Sequence, residues 1–127
     1  MSRPFASARR DPRYAIPPGR CSVEFVDPRD PQRHYHATLT KLSVCGIEFT
    51  VAAPEELFPV DAVLTSVISA GSFKLAGEIA VRVARATGDG LVEVGGLFYP
   101  SSQEVEQVLA VLVAGIEAAQ PADPADS

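Results

Sequence analysis

Cysteine is scarce in this sequence: Cys21 and Cys45 are the two among 127 residues. Two thiols do not make a disulfide framework. With no secretory pattern and no long apolar run near the N-terminus, the chain is expected to be a reduced, cytoplasmic protein. Long hydrophobic runs are missing as well. The longest apolar stretches are broken by charges or by glycine well short of the ~20 residues that a membrane span requires, so neither a transmembrane helix nor a signal peptide is expected. The sequence also lacks a nucleophile–base–orienter set and a phosphate-binding loop of the nucleotide-hydrolase type, which argues against an enzyme. His34 and His36 share one strand face, a spacing that can bind metal, but no third ligand of the right kind lies nearby, and no metal site is expected. Glu55-Glu56 reads as an ordinary loop pair with no third group to make it catalytic.

Positive charge is also sparse, and it is unevenly placed. The net charge is −5. Residues 1–36 hold seven arginines (3, 9, 10, 13, 20, 29, 33) against four acids, a balance of +3, whereas residues 37–127 hold four bases against twelve acids, a balance of −8. A chain this acidic is a poor DNA or RNA binder, because that affinity rests on many simultaneous phosphate contacts. Local positive charge at one end suits a small anionic ligand better. The densest cluster is Arg9-Arg10-Asp11-Pro12-Arg13. No hydrophobic periodicity explains it, and guanidinium forks match phosphate oxygens and the O6/N7 edge of guanine. Taken alone, such a cluster is either an anion clamp or a solvated basic tail.

The chain reads as one domain with two tails. Residues 1–19, with Pro4, Pro12, Pro17 and Pro18, are expected to be an arm that is flexible unless something orders it. From Arg20 the pattern alternates. Cys21, Val23 and Phe25 oppose Ser22 and Glu24 in a half-buried first strand, closed by a loop over Asp27–Pro31. A second strand runs from about Arg33 to Leu42, with Tyr35, Ala37 and Leu39 on one face. A break at Ser43–Gly46 precedes a third strand marked by Ile47, Phe49 and Val51. A loop over Pro54–Pro59 leads to a fourth strand, Ala62–Ser69. A fifth, Phe73–Ala86, is expected to bend at Gly77, and a turn at Thr87–Gly90 leads to a sixth, Leu91–Tyr99, bent at Gly95-Gly96.

Six short strands with close turn signals imply a mainly β fold, a small antiparallel barrel whose closure removes exposed edges. A helix follows. Ser101 and Glu104 fit a capping box, and Val105, Val108, Leu109, Leu112, Val113 and Ile116 recur on one face. That face must be buried on the barrel or on a partner; left free, it would favour a homodimer. The barrel and helix span residues 20–119, and 120–127 read as a disordered acidic tail. The Phe and Tyr residues sit at core spacings, and both cysteines read as small buried hydrophobes.

The break between the second and third strands, Lys41-Leu42-Ser43-Val44-Cys45-Gly46, carries the second chemical signal. The Ser43 hydroxyl can bond a phosphate or a base edge, and Gly46 allows close backbone approach or a positive φ.

Together these elements resemble the PilZ domain family, bacterial receptors for the second messenger cyclic di-GMP. The family pattern is RxxxR just before the first strand of the barrel and D/NxSxxG at the turn between the second and third. Arg9 and Arg13 match the first motif, with Arg10 giving its double-arginine form; Ser43 and Gly46 match the second. Val94-Gly95-Gly96-Leu97-Phe98 before a helix is similar to the family's last strand. The resemblance covers residues from about 7 to 118. It implies a six-stranded antiparallel PilZ-type β-barrel with a C-terminal α-helix, cyclic di-GMP as ligand, and no cofactor.

One position departs: Lys41 stands where the family has Asp or Asn. The family's side chain is implied to accept guanine N–H bonds, and an ammonium only donates. An unpaired donor costs roughly 1–3 kcal/mol, on the order of ten- to a hundred-fold in affinity. Pairing of Lys41 with a phosphate would offset part of this. The resemblance thus implies that Arg9, Arg10, Arg13, Ser43 and Gly46 bind the dinucleotide, with Lys41 in the odd position, and that ligand binding orders the arm and changes the surface shown to a protein partner. The competing reading is a PilZ-like interaction module that no longer binds nucleotide and acts in motility or pilus assembly.

Overall fold

A computed structural model of the chain describes residues 14–15 and 20–119. The arginines Arg9, Arg10 and Arg13, the rest of the expected arm apart from Tyr14 and Ala15, and the acidic tail lie outside the described residues. The elements are β1 (Tyr14–Ala15), β2 (Cys21–Asp27), β3 (Asp30–Leu42), β4 (Gly46–Val51), a 3₁₀ turn (Glu55–Leu57), β5 (Val63–Ala70), β6 (Phe73–Ala86), β7 (Val92–Pro100) and α1 (Gln103–Ala119). The six longer strands pair antiparallel in the order β3-β2-β5-β6-β7-β4, and β4 returns to β3 to close the barrel.

Alternation decides which side chains fill it. Val23, Phe25, Leu39, Ile47, Phe49, Leu64, Ile68, Leu75, Ile79, Val94 and Phe98 point inward and are essentially fully buried. One mouth is plugged by Leu57 and Phe58. The Phe58 ring lies edge-on to Phe25 and Phe49, 5.7 and 6.3 Å between centroids, an arrangement aromatic quadrupoles favour. The other mouth, where β7 ends, is covered by α1, whose Leu109 and Val113 join the core cluster. The apolar helix face therefore rests on the barrel, with Val105, Val108, Leu112 and Ile116 partly buried against the core. No helix among the described residues is long and apolar enough to cross a membrane.

Several local expectations need correction. The loop expected over Asp27–Pro31 is a tight hairpin, because the buried Asp27 carboxylate accepts the Arg29 amide at 2.7 Å and lets β3 start at Asp30. Pairing runs uninterrupted through Gly77. The register shift on β6 falls instead between Val81 and Val83, opposite Gly95-Gly96. Gly77 has a different reason: a Cβ there would lie 2.6 Å from the Phe98 ring. The helix is capped by Ser102, whose Oγ accepts the Val105 amide at 3.1 Å, while the Ser101 amide bonds Ala76 O on β6. The capping box of Ser101 with Glu104 is thus not formed. Phe73 and Tyr99 are exposed rather than core, and Cys45 is exposed where burial was expected.

Candidate functional site

The Ser43–Gly46 turn is held between two core anchors, Leu42 and Ile47, each fully buried. These fix where β3 ends and β4 begins. Ser43 is itself 1% exposed, and its Oγ accepts the Gly46 amide at 2.7 Å while the Ser43 amide donates to Gly46 O at 2.9 Å. The hydroxyl expected to meet a ligand is thus turned into the loop, where it shapes the turn. Gly46 does not take positive φ, which among the described glycines is confined to Gly71, Gly88 and Gly90. The Phe98 amide donates to Cys45 O at 2.9 Å and ties the turn to β7. Val44 and Cys45 form its exposed tip.

Beside the turn, cross-strand register builds a charged surface. Lys41 on β3 is opposite Glu48 on β4, Glu48 is opposite Gly95 on β7, and Gly95 is opposite Val83 on β6. Two residues along, Thr50 is opposite Glu93, which is opposite Arg85. Both rows face outward. Lys41 Nζ lies 3.9 Å from Glu48 Oε1, and Arg85 Nη2 is hydrogen-bonded to Glu93 Oε1. Gly95 contributes no side chain between these pairs. The result is a groove of about 340 Å³ lined by Lys41, Glu48, Val83, Arg85, Glu93, Val94 and Gly95.

The two-residue strand β1 completes the arrangement. Tyr14 pairs with Leu42 and Ala15 with Lys41, along the edge of β3 opposite the one that β4 occupies. No strand is legible before Arg20, since two residues carry no periodicity. Lys41 therefore lies between Ala15 and Glu48, at the rim of the groove. Of the six residues singled out in the sequence, Ser43 and Gly46 close one turn, Lys41 lies on β3 just before it, and the three arginines fall outside the described residues. Glu48, Arg85, Glu93 and Gly95 were not legible as site residues. Alternation alone marks them as outward, but only the barrel's register makes them neighbours.

Chemically, this is a concave surface with two basic and two acidic side chains in opposed pairs. It can take an anionic ligand wherever a phosphate replaces a carboxylate as the partner of a cation.

No family model matches the chain, and no curated protein matches it. Solved structures do. The K. pneumonia MrkH–c-di-GMP complex shares 13% identity at a TM-score of 0.73, over 87% of this chain and 52% of that one. The PilZ domain of YcgR from Escherichia coli, with c-di-GMP, shares 18% identity at a TM-score of 0.68, over 87% of this chain and 92% of that one. The Bacillus subtilis inhibitor of motility, MotI/DgrA, shares 11% identity at a TM-score of 0.68, over 87% and 52%. The chain spans about half the length of MrkH and MotI. With its strand order, its closure through β3 and β4, and its helix over one mouth, the chain has the fold of a PilZ domain.

Proposed function

We propose that this chain is a cyclic di-GMP receptor, not an enzyme, that acts in the cytoplasm through protein contacts. The observation that carries this reading is the pairing of β1. Tyr14, which follows Arg13 in the sequence, pairs with Leu42, which precedes Ser43. This antiparallel register sets Tyr14 beside the residue that opens the Ser43–Gly46 turn and Ala15 beside Lys41. Arg9 and Arg13 then supply guanidinium forks for phosphate or for the O6/N7 edge of guanine, and Arg10 adds charge. Ser43 and Gly46 supply the turn that the ligand meets. Binding orders the arm over the barrel and changes the surface presented to a partner. The c-di-GMP complexes of MrkH and YcgR support the ligand class.

One observation favours the second reading, an interaction module that no longer binds nucleotide: Lys41 stands in the acceptor position and is paired with Glu48. Calorimetric titration with cyclic di-GMP separates the two. The receptor reading expects a saturable heat that Arg13→Ala abolishes, and silence at tens of micromolar ligand would overturn it. The interaction reading expects the same protein partner to be recovered with and without nucleotide, and with Arg9→Ala.

A further inference from the structure

Lys41 on β3 and Glu48 on β4 form one side of the groove. Its far wall, on β6, carries a cation that neither sequence motif includes. The Arg85 side chain is 74% exposed and is engaged by Glu93, directly across from it on β7. Lys41 and Glu48 repeat the arrangement on the near wall. Between them lies Gly95, where the missing side chain leaves the floor open. Lys41 and Arg85 stand on strands three spacings apart, about 14 Å across the sheet at ~4.8 Å per strand, and in neighbouring outward rows. Both cations line the one groove, so the space between them suits one ligand bearing two separated anionic groups.

We infer that Arg85 is a further ligand-contacting residue that takes a phosphate from the wall opposite Lys41, with Glu93 limiting its availability by competing for the same guanidinium. This rests on the receptor reading and deepens it. Exposed ion pairs are weak, so a phosphate competes effectively with Glu93, and Arg is the side chain whose fork holds a phosphodiester in a fixed geometry. Two cations on opposite walls also give a basis for selecting a cyclic dinucleotide over a mononucleotide, which can engage one of them at a time.

The test uses the fact that Arg85→Ala and Glu93→Gln delete the same ion pair. A purely structural role moves both variants in the same direction. A ligand role moves them apart: Arg85→Ala weakens cyclic di-GMP binding about tenfold or more, Arg85→Lys falls between, and Glu93→Gln tightens it severalfold, with thermal midpoints of the variants alike. The slope of log Kd against log salt becomes shallower in Arg85→Ala, because one phosphate contact is gone. The preference for cyclic di-GMP over GMP also narrows. If the wild-type chain binds cyclic di-GMP and both variants bind within twofold of it, the role of Arg85 is overturned and the receptor reading stands. If Glu93→Gln weakens binding as Arg85→Ala does, the competition is overturned. Absence of binding by the wild-type chain overturns the receptor reading and this inference with it.

Discussion

Ser43 is the residue whose surroundings are least legible from the sequence. A hydroxyl on a strand–strand turn reads as a ligand contact, yet here it is buried and accepts the Gly46 amide at 2.7 Å. Ser43→Ala would leave that amide without its acceptor, and we expect a loss of about 1–3 kcal/mol in folding free energy, measurable by urea denaturation. A variant whose midpoint and slope match the wild type would show the bond to be dispensable. Lys41 is the second such residue. An acceptor at this position restores the bond that an ammonium cannot make, so Lys41→Asn is expected to tighten cyclic di-GMP binding ten- to a hundred-fold. Lys41→Asp should gain less, because it places two carboxylates opposite each other at the Lys41–Glu48 position. Titration of the two variants side by side reads the difference.

At the scale of elements, the strands were largely legible because alternation and burial coincide. On β3, Ala37 and Leu39 are buried while His36 and Thr38 are exposed, as the period of two requires. What sequence could not supply was pairing across elements, such as the Asp27 hairpin or the bulge opposite Gly95-Gly96. The helix shows the same division. Its periodic apolar face was clear, but whether barrel or partner covers it is a tertiary fact. Leu109 is 1% exposed and Val111 66%. Leu109→Ala should therefore cost about 2–5 kcal/mol, through lost burial and the cavity left behind. Val111→Ala should stay within about 0.5 kcal/mol. Thermal or denaturant unfolding of both variants checks the orientation of α1, and equal costs would contradict it.

For the molecule as a whole, closure of the barrel gives its two thiols different environments. Burial pushes the Cys21 thiol above its ordinary range, although Arg20 pulls it down in part. Cys45 sits exposed at the tip of the turn. Because the thiolate is the reacting species, iodoacetamide near neutral pH is expected to label Cys45 well before Cys21, with mass spectrometry reading the order. Raising the pH through the thiol range should narrow the gap. If cyclic di-GMP occupies the turn, saturating ligand should slow labelling of Cys45 and leave Cys21 unchanged; slowing at neither thiol would count against the turn as the binding surface.

The sequence by itself determined which segments become the six longer strands, which face of each is apolar, and where the helix lies. These follow from local periodicity and from turn chemistry, which act over a few residues. Only the tertiary structure decided that Tyr14–Ala15 pairs beside Lys41, that the Ser43 hydroxyl turns inward, and that Glu48, Gly95, Glu93 and Arg85 form one groove with Lys41. Each of these depends on register between strands far apart in the chain. Register is fixed by the packing of the whole core, since a slip of one residue would turn every buried side chain outward.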